Sequence, residues 1–409
     1  MATIRIQNLG PIKDTGLIEL SQIMLIIGPQ SSGKSTFMKV LCYCRWLEKK
    51  IMTSFADVIP AYTHNKRFKK DLMLFHRIDD LYFREECSIE YNGEVVSIIY
   101  QGEDNNAKIV KKQDKWDDRY NSKLAYIPAE RNLVSAIKNI DKTYKTNERD
   151  VLFNFIVEWG EAKEGYSKEN PMPLSVTDEF AYFNDKGQDH IILPNGKIET
   201  SFYASSGIQS VAPIDVITDG FSKKVGQIRA FSQSDLVNQL MAILKVDSVA
   251  KIDVNSLSED DMEKLREQMR YQSVQLFIEE PEQNLYPDSQ RILIQNIVRR
   301  IKKANKEGKK DSMVVMTTHS PYVLSVLNVL IAEASASLKC PNNDELEKII
   351  DASTLLPLSA YSAFFINKSG VFENIMDFEL PMFSGIDLDQ VSDWVDEHIY
   401  QINKVIYKD

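Results

Sequence analysis

The stretch Met24-Leu25-Ile26-Ile27-Gly28-Pro29-Gln30-Ser31-Ser32-Gly33-Lys34-Ser35-Thr36 decides how the rest of the chain is read. Its first four residues are a continuous apolar run, as suits a strand buried on both faces. Residues 28–35 fit the pattern G-x-x-x-x-G-K-[ST]. The glycines let the backbone curl so that successive N–H groups aim at phosphate oxygens, and Lys34 reaches the β- and γ-phosphates. Ser35 offers a hydroxyl to Mg²⁺, and the following helix turns its positive end toward the phosphates. From Thr36 to Lys49 there is no Pro or Gly, and Phe37, Val40, Leu41 and Cys44 fall at helical spacing. Strand, Gly-rich loop and helix in that order form a triphosphate cradle. Gly28, Gln30, Ser31, Ser32, Gly33, Lys34, Ser35 and Thr36 are therefore its candidate contacts.

Two later strings complete the pattern. Leu276-Phe277-Ile278-Glu279-Glu280-Pro281-Glu282 is an apolar strand that ends in carboxylates. One carboxylate can hold Mg²⁺, and the next can orient or deprotonate an attacking water. Alone, such a pair reads as a solvated loop; downstream of a phosphate loop that preference reverses. Met316-Thr317-Thr318-His319-Ser320-Pro321 is again a strand end, carrying one of the five histidines. A lone histidine there reads as structural. Third in the order phosphate loop, acidic strand, histidine, it reads as a γ-phosphate contact.

Order and spacing of these strings resemble the ABC-type P-loop ATPases, and within them the soluble branch of OLD and RecF-like proteins. That branch carries an E-E-P-E-x-x-L-x-P string, matched by Glu279-Glu280-Pro281-Glu282-Gln283-Asn284-Leu285-Tyr286-Pro287. The resemblance implies an α/β fold: an ABC-type P-loop ATPase head with a mixed β-sheet core, an antiparallel β subdomain and a helical insertion. It implies ATP and Mg²⁺ as cofactors, with Ser35 and Glu279 on the metal, although most ABC proteins have Asp at the second position. Glu280 would be the catalytic base, His319 the switch histidine, Lys34 the third catalytic group and residues 285–289 the D-loop region.

The resemblance also implies a signature element that contacts the nucleotide of a second copy, and hence a homodimer or higher homo-oligomer with composite ATP sites. Ala204-Ser205-Ser206-Gly207-Ile208-Gln209 is the candidate, with Ser205 and Gly207 as the contacts. It departs from L-S-G-G in having Ala204 for Leu and Ser206 for the first Gly; the alternative is an ordinary N-capped helix. Tyr126-Ile127-Pro128-Ala129-Glu130-Arg131 resembles a string common in the branch. Glu130 or Arg131 would sense nucleotide or Mg²⁺, or the segment is a plain strand exit with a surface ion pair. For the base, Asn8 and Lys13 are the candidates.

The 409 residues are 43% hydrophobic and 26% charged, enough for a sizeable core, and the net charge of −10 disfavours indiscriminate nucleic-acid binding. Cys42, Cys44, Cys87 and Cys340 have no C-x-x-C spacing and are expected as reduced, mostly buried thiols. No leader pattern and no apolar run near the ~20 residues of a membrane span are expected, hence a cytoplasmic protein without membrane partners. No heptad run of SMC-type length is present. Four regions follow: 1–130 and 246–330 as the two parts of the ATPase head, 131–245 as helical insertion with signature region, and 331–409 as C-terminal strands and helix that complete the head or dock a partner. Hairpins are expected to turn at Asn92-Gly93 and Asn195-Gly196, helices over 50–87, 131–165, 207–245, 256–271 and 388–407, and a loop over 102–119.

What the head drives divides into two readings. The first is a regulatory or sensor ATPase of an anti-phage defence system, resembling PARIS-type or Septu-type components, that controls a separate effector nuclease. The second is a RecF-like DNA-repair ATPase that clamps DNA on ATP-driven dimerisation. Two basic runs keep nucleic acid open: Lys66, Arg67, Lys69 and Lys70, and Arg299, Arg300, Lys302, Lys303, Lys306, Lys309 and Lys310. Their bland alternative is a solvated helix end. Asp387-Leu388-Asp389 resembles a metal-nuclease string, but the 90 residues after His319 are too few for such a module, so nuclease activity in this chain is not expected.

Overall fold

Five parallel strands and one antiparallel edge strand form the sheet that carries all three strings, in the order β16-β15-β4-β14-β13-β8. They are β4 (Ile23–Ile27), β8 (Asn121–Ile127), β13 (Tyr271–Glu279), β14 (Met313–Thr318), β15 (Tyr361–Ile366) and β16 (Phe372–Asn374). The computed structural model describes residues 2–54, 57–137, 150–176, 179–228, 269–341, 343–377 and 380–384, with single residues between 140 and 400 besides. Register aligns the strand ends. Ile27 lies opposite Thr318, Thr317 opposite Glu279, and Ile278 opposite Ile127. Gly28, His319 and Glu280 each follow directly on this edge, which is why strings far apart in sequence meet.

Side-chain alternation sends each central strand into two cores. Ile23, Leu25, Ile27, Val274, Leu276, Ile278, Val314 and Met316 face one layer, while Met24, Ile26, Phe277 and Val315 face the other. The first layer is roofed by four helices: α3 (Val151–Lys163), α4 (Ser206–Lys223), α5 (Pro287–Glu307) and α6 (Pro321–Lys339). Leu293, Ile294, Ile297, Val298 and Ile301 of α5 are fully buried there, each contributing about 1.5–3 kcal/mol. The second layer holds α1 (Lys34–Thr53), α2 (Arg67–His76) and the antiparallel β subdomain.

That subdomain is built from β1 (Thr3–Leu9), β2 (Ile12–Asp14), β3 (Ile18–Glu19), β5 (Phe83–Asn92), β6 (Val96–Gln101) and β7 (Ala107–Lys111). A small sheet, β9 (Met172–Pro173), β10 (Ala181–Asp185), β11 (Gln188–Ile192) and β12 (Ile198–Thr200), covers the helical side. The hairpins at 93–95 and 193–197 stand as expected.

The structure differs from the sequence expectations in four places. The stretch 83–87 is strand rather than helix, because β5 pairs with β1 as far as Phe83. Residues 107–111 are a third strand, not loop: Ala107 and Ile109 face inward while Lys108 and Val110 face solvent, a pattern too short to stand out among polar neighbours. Strand β10 turns into β11 through Lys186 and Gly187 at φ 52° and 88°. Among the described residues α6 is long and apolar enough to cross a bilayer, contrary to the expectation that no such run exists; it packs on α5 and buries Val323, Leu327, Leu330 and Ile331. Within 131–165, helix is described over 133–136 and 151–163. Half of the expected helix over 256–271, residues 229–245 of that over 207–245, and almost all of that over 388–407 lie outside the described residues; Asp387-Leu388-Asp389 lies outside them altogether. Cys42, Cys44 and Cys87 are buried free thiols, and Cys340 is exposed.

Candidate nucleotide-binding site

The loop between β4 and α1 needs its glycines for steric reasons. Gly28 has φ 156° and Gly33 φ 111°. A Cβ would stand 2.5 Å from the Ile366 carbonyl oxygen at Gly28 and 2.8 Å from Ile12 Cγ1 at Gly33. Ser31 takes the left-handed φ of 61°. Helix α1 begins at Lys34, whose Nζ turns back to donate to the carbonyls of Gly28 (2.8 Å) and Pro29 (2.7 Å). Burial lowers the Lys34 ammonium from 10.5 to about 8, with the charges of Glu280 and Glu282 opposing the shift. The Ser32 hydroxyl is buried beside it with no protein partner, an acceptor-and-donor group left for a ligand.

At the end of β13 the two glutamates have different surroundings. Glu279 is buried: Tyr126 donates its hydroxyl to Oε1 (2.6 Å) and the Ala129 N–H donates to Oε2 (3.1 Å). Glu280 swings to the left-handed φ of 40°. Its N–H continues the ladder to the Thr317 carbonyl (2.9 Å). Its carboxylate Oε1 lies 3.3 Å from His319 Nε2. That hydrogen bond, with the charges of His319, Lys34 and Arg131, holds the Glu280 carboxyl below the usual glutamate range despite partial burial. A non-glycine residue in this region costs about 1–3 kcal/mol, which the surrounding bonds must offset.

A cleft of about 730 Å³ brings these groups together. Gln30, Ser31, Gly33, Lys34, Ser35, Thr36, Glu280 and His319 all line it. Gly28 and Ser32 shape the loop without lining that cleft, and Glu279 stands behind its twin. Ser205 and Gly207 are elsewhere: Ser205 is the exposed N-cap of α4, and Gly207 faces the Asn284 carbonyl, 3.0 Å from where a Cβ would be. Asn8 and Lys13 do not line the cleft either. The Asn8 side chain donates to the Glu86 carbonyl, and the Lys13 N–H to that of Gly370. The wall opposite the loop is instead Gly10, Pro11, Leu81, Tyr82 and Arg84. The Tyr82 ring lies directly on Gly10, where a Cβ would meet its Cδ1 at 2.0 Å.

Other functional contacts had no separate sequence signal. Glu282 accepts the His319 N–H through Oε1 (2.8 Å), tying the acidic loop to the histidine loop. Asn284 donates to Ser210 Oγ (2.9 Å) and so joins the D-loop region to α4. Arg131 is fully buried and binds backbone carbonyls, which rules out the surface ion pair; Glu130 is exposed and does not line the cleft. Several members of the basic runs have partners within the chain, mostly at its surface, and only Arg300 is buried. Arg299 pairs with Asp351, Arg300 with Asp215, Lys302 donates to the Ala352 carbonyl, and Lys309 pairs with Glu267. In the earlier run, Arg67 pairs with Asp71 and Lys69 with Asp80.

A phosphate loop on the central parallel strand, a twin-glutamate strand two places away and a histidine strand between them define the class: an ABC-type P-loop ATPase head. Residues 254–324, which include β13, α5, β14 and His319, match the family model of the AAA ATPase domain. A search of curated proteins finds no match. Among solved structures the chain is similar to the SMC head domain from Thermotoga maritima, at 10% identity over 79% of this chain and 90% of that one, with a TM-score of 0.33. It is similar also to an Smc head bound to the C-winged helix domain of ScpA (9% identity, 92% and 98% covered, TM-score 0.39). A third likeness is to an Smc head domain with an extended coiled coil, bound to the C-terminal domain of ScpA and derived from Pyrococcus furiosus (8%, 97% and 99%, 0.36). The class rests on strand order and cleft geometry, not on these alignments.

Proposed function

We propose that the chain binds ATP with Mg²⁺ and hydrolyses it between two copies of itself. We further propose that it serves, in the cytoplasm, as the regulatory subunit of an anti-phage defence system controlling a separate effector nuclease. The observation that carries the first part is the meeting of Lys34, Glu280 and His319 on one cleft. Lys34 leaves its two carbonyl partners for the phosphates. Glu280, ionised and aimed into the cleft, takes the proton of the attacking water. His319 hydrogen-bonds Glu280 and reaches the γ-phosphate from the neighbouring strand end. Pro11, Leu81, Tyr82 and Arg84 form the wall for the base.

The donor set fits Mg²⁺, which takes one or two protein oxygens and completes its shell with phosphate and water. Ser35 lines the cleft and would hold the ion together with the buried Glu279 carboxylate, which accepts from Tyr126 and Ala129 and keeps lone pairs to spare. When bound, the ion neutralises charge on the phosphates.

Pairing of two copies is supported by the surface around Ser205. The first turn of α4 touches Asn284, and Tyr203 and Tyr286, 69% and 77% exposed, stand on these adjoining turns. The defence role is supported by the E-E-P-E-x-x-L-x-P string, and the net charge of −10 weighs against a DNA clamp. ATP would act by favouring the closed pair over the open one.

Glu280→Gln tests the chemistry: it should keep ATP bound, hold a dimer and lower kcat about 10²–10⁴-fold. Turnover at the wild-type rate would refute the assignment of the base. Co-purification with a nuclease from the native operon supports the regulatory role. DNA-stimulated hydrolysis with steep salt dependence, and no protein partner, overturns it.

A further inference from the structure

Arg131 is 0% exposed, and its hydrogen bonds end on backbone carbonyls rather than carboxylates. Nε donates to Ser210 O (3.0 Å), Nη1 to Glu279 O (2.8 Å) and, at 3.4 Å, to Pro128 O, and Nη2 to Glu280 O (2.7 Å). Burial lowers this guanidinium to about 10, with Glu282, Glu280, Glu279 and Glu130 opposing the shift. A buried cation is a costly way to stabilise a fold, since apolar side chains of similar volume often serve as well. What an apolar side chain cannot do is hold several carbonyls at fixed separations, as a planar fork with five donors can.

The clamped point is the unusual one. Glu280 has its N–H fixed by Thr317 O and its C=O by Arg131, so both flanking peptides of a left-handed residue are pinned. The other end of the fork grips α4 at Ser210, one turn beyond Ser205 and Ser206, and Asn284 grips the same residue through Oγ.

We propose that Arg131 is a positioning residue for Glu280 and that, through Ser210, it makes the first turn of α4 and the twin glutamates one rigid unit. This rests on Glu280 acting as the base. A contact made at the α4 N-terminus is thereby transmitted to the carboxylate without either segment moving independently. Arg131 touches no nucleotide in this role.

The test is steady-state ATP hydrolysis by the full chain. Arg131→Lys keeps the charge but places its donors on one atom, which cannot span Ser210 and Glu280. It should fold, keep KM within about threefold and lose about 30-fold or more in kcat, since small misplacement of a catalytic group costs up to about 10²-fold. Combined with Glu280→Gln it should lower the residual rate no further, because the group it positions is already gone. Ser210→Ala removes the hydroxyl that Asn284 holds but keeps the carbonyl that Arg131 grips, so it should fold and keep kcat within about twofold at unchanged KM. If the wild type does not hydrolyse ATP, the proposed function fails. If the wild type hydrolyses ATP, Glu280→Gln is inactive and folded Arg131→Lys keeps its kcat, only the positioning role fails. A rise in KM alone makes Arg131 a ligand contact, a Ser210→Ala loss as large as that of Arg131→Lys makes the Asn284 tie rather than the guanidinium the link to α4, and failure of Arg131→Lys to fold makes the residue a stability clamp; each overturns the proposal.

Discussion

Raising the pH from 7 to 9 should weaken ATP binding about tenfold through Lys34 alone. In the nucleotide-free fold its ammonium is buried against the Gly28 and Pro29 carbonyls and is lowered to about 8. A triphosphate in contact favours the charged form and lifts that value again. Binding therefore takes up a proton wherever free Lys34 is neutral. The charged fraction of the free protein falls from about 0.9 at pH 7 to about 0.1 at pH 9, and affinity follows it. Glu280, held low, stays ionised across this window. Calorimetry at pH 8.5 in two buffers of different ionisation enthalpy should report uptake of about three-quarters of a proton. Lys34→Arg, always charged, should abolish the slope. No uptake, with affinity flat from pH 7 to 9, would show the lysine charged throughout and refute the reasoning. The sign for stability is separate: the folded value is depressed, so the cost of burying the charge is full below pH 8. It is relieved as pH rises from about 8 toward 10.5.

Asp215→Ala should cost about 3–5 kcal/mol in denaturant unfolding, because Asp215 accepts from Arg300 Nη1 (2.7 Å) and from Ser175 N and Oγ, and its loss strands a buried cation. A loss under about 1 kcal/mol would show that Asp219, 3.9 Å from Arg300, replaces it. Tyr82→Ala should raise KM for ATP about tenfold while leaving competition by inorganic tripolyphosphate unchanged, since base stacking contributes about 1–3 kcal/mol. Equal loss of both would place the ring near the phosphates instead of the base.

The parts of the site that a sequence shows are those whose chemistry demands a residue type at a fixed spacing. Glycines 28 and 33 stand where a Cβ would strike Ile366 and Ile12, and no other residue takes those dihedrals freely. Glu280 and His319 could be placed because each directly follows a buried strand, and parallel register brings strand ends to one edge. The wall of the cleft at Leu81, Tyr82 and Arg84 was not legible. Leu81 and Tyr82 sit on a short turn between α2 and β5, and only the fold sets that turn over Gly10. Arg131 was noticed but misread, since nothing in an A-E-R string tells a buried fork from a surface charge. The basic run on α5 illustrates the converse: Arg299, Arg300 and Lys302 look like one solvated patch in sequence, but helical rotation buries Arg300 against Asp215, while Arg299 and Lys302 reach Asp351 and the Ala352 carbonyl at the surface.

Because β14 lies between β4 and β13, the phosphate loop, the histidine and the glutamate hang from three adjacent strands spaced about 4.8 Å apart. Hydrogen-bond ladders set that width, and a ladder does not stretch. The catalytic gap is therefore a fixed gauge. Any opening and closing during a cycle belongs to what flanks the gauge, the helical layer on one side and the antiparallel subdomain on the other.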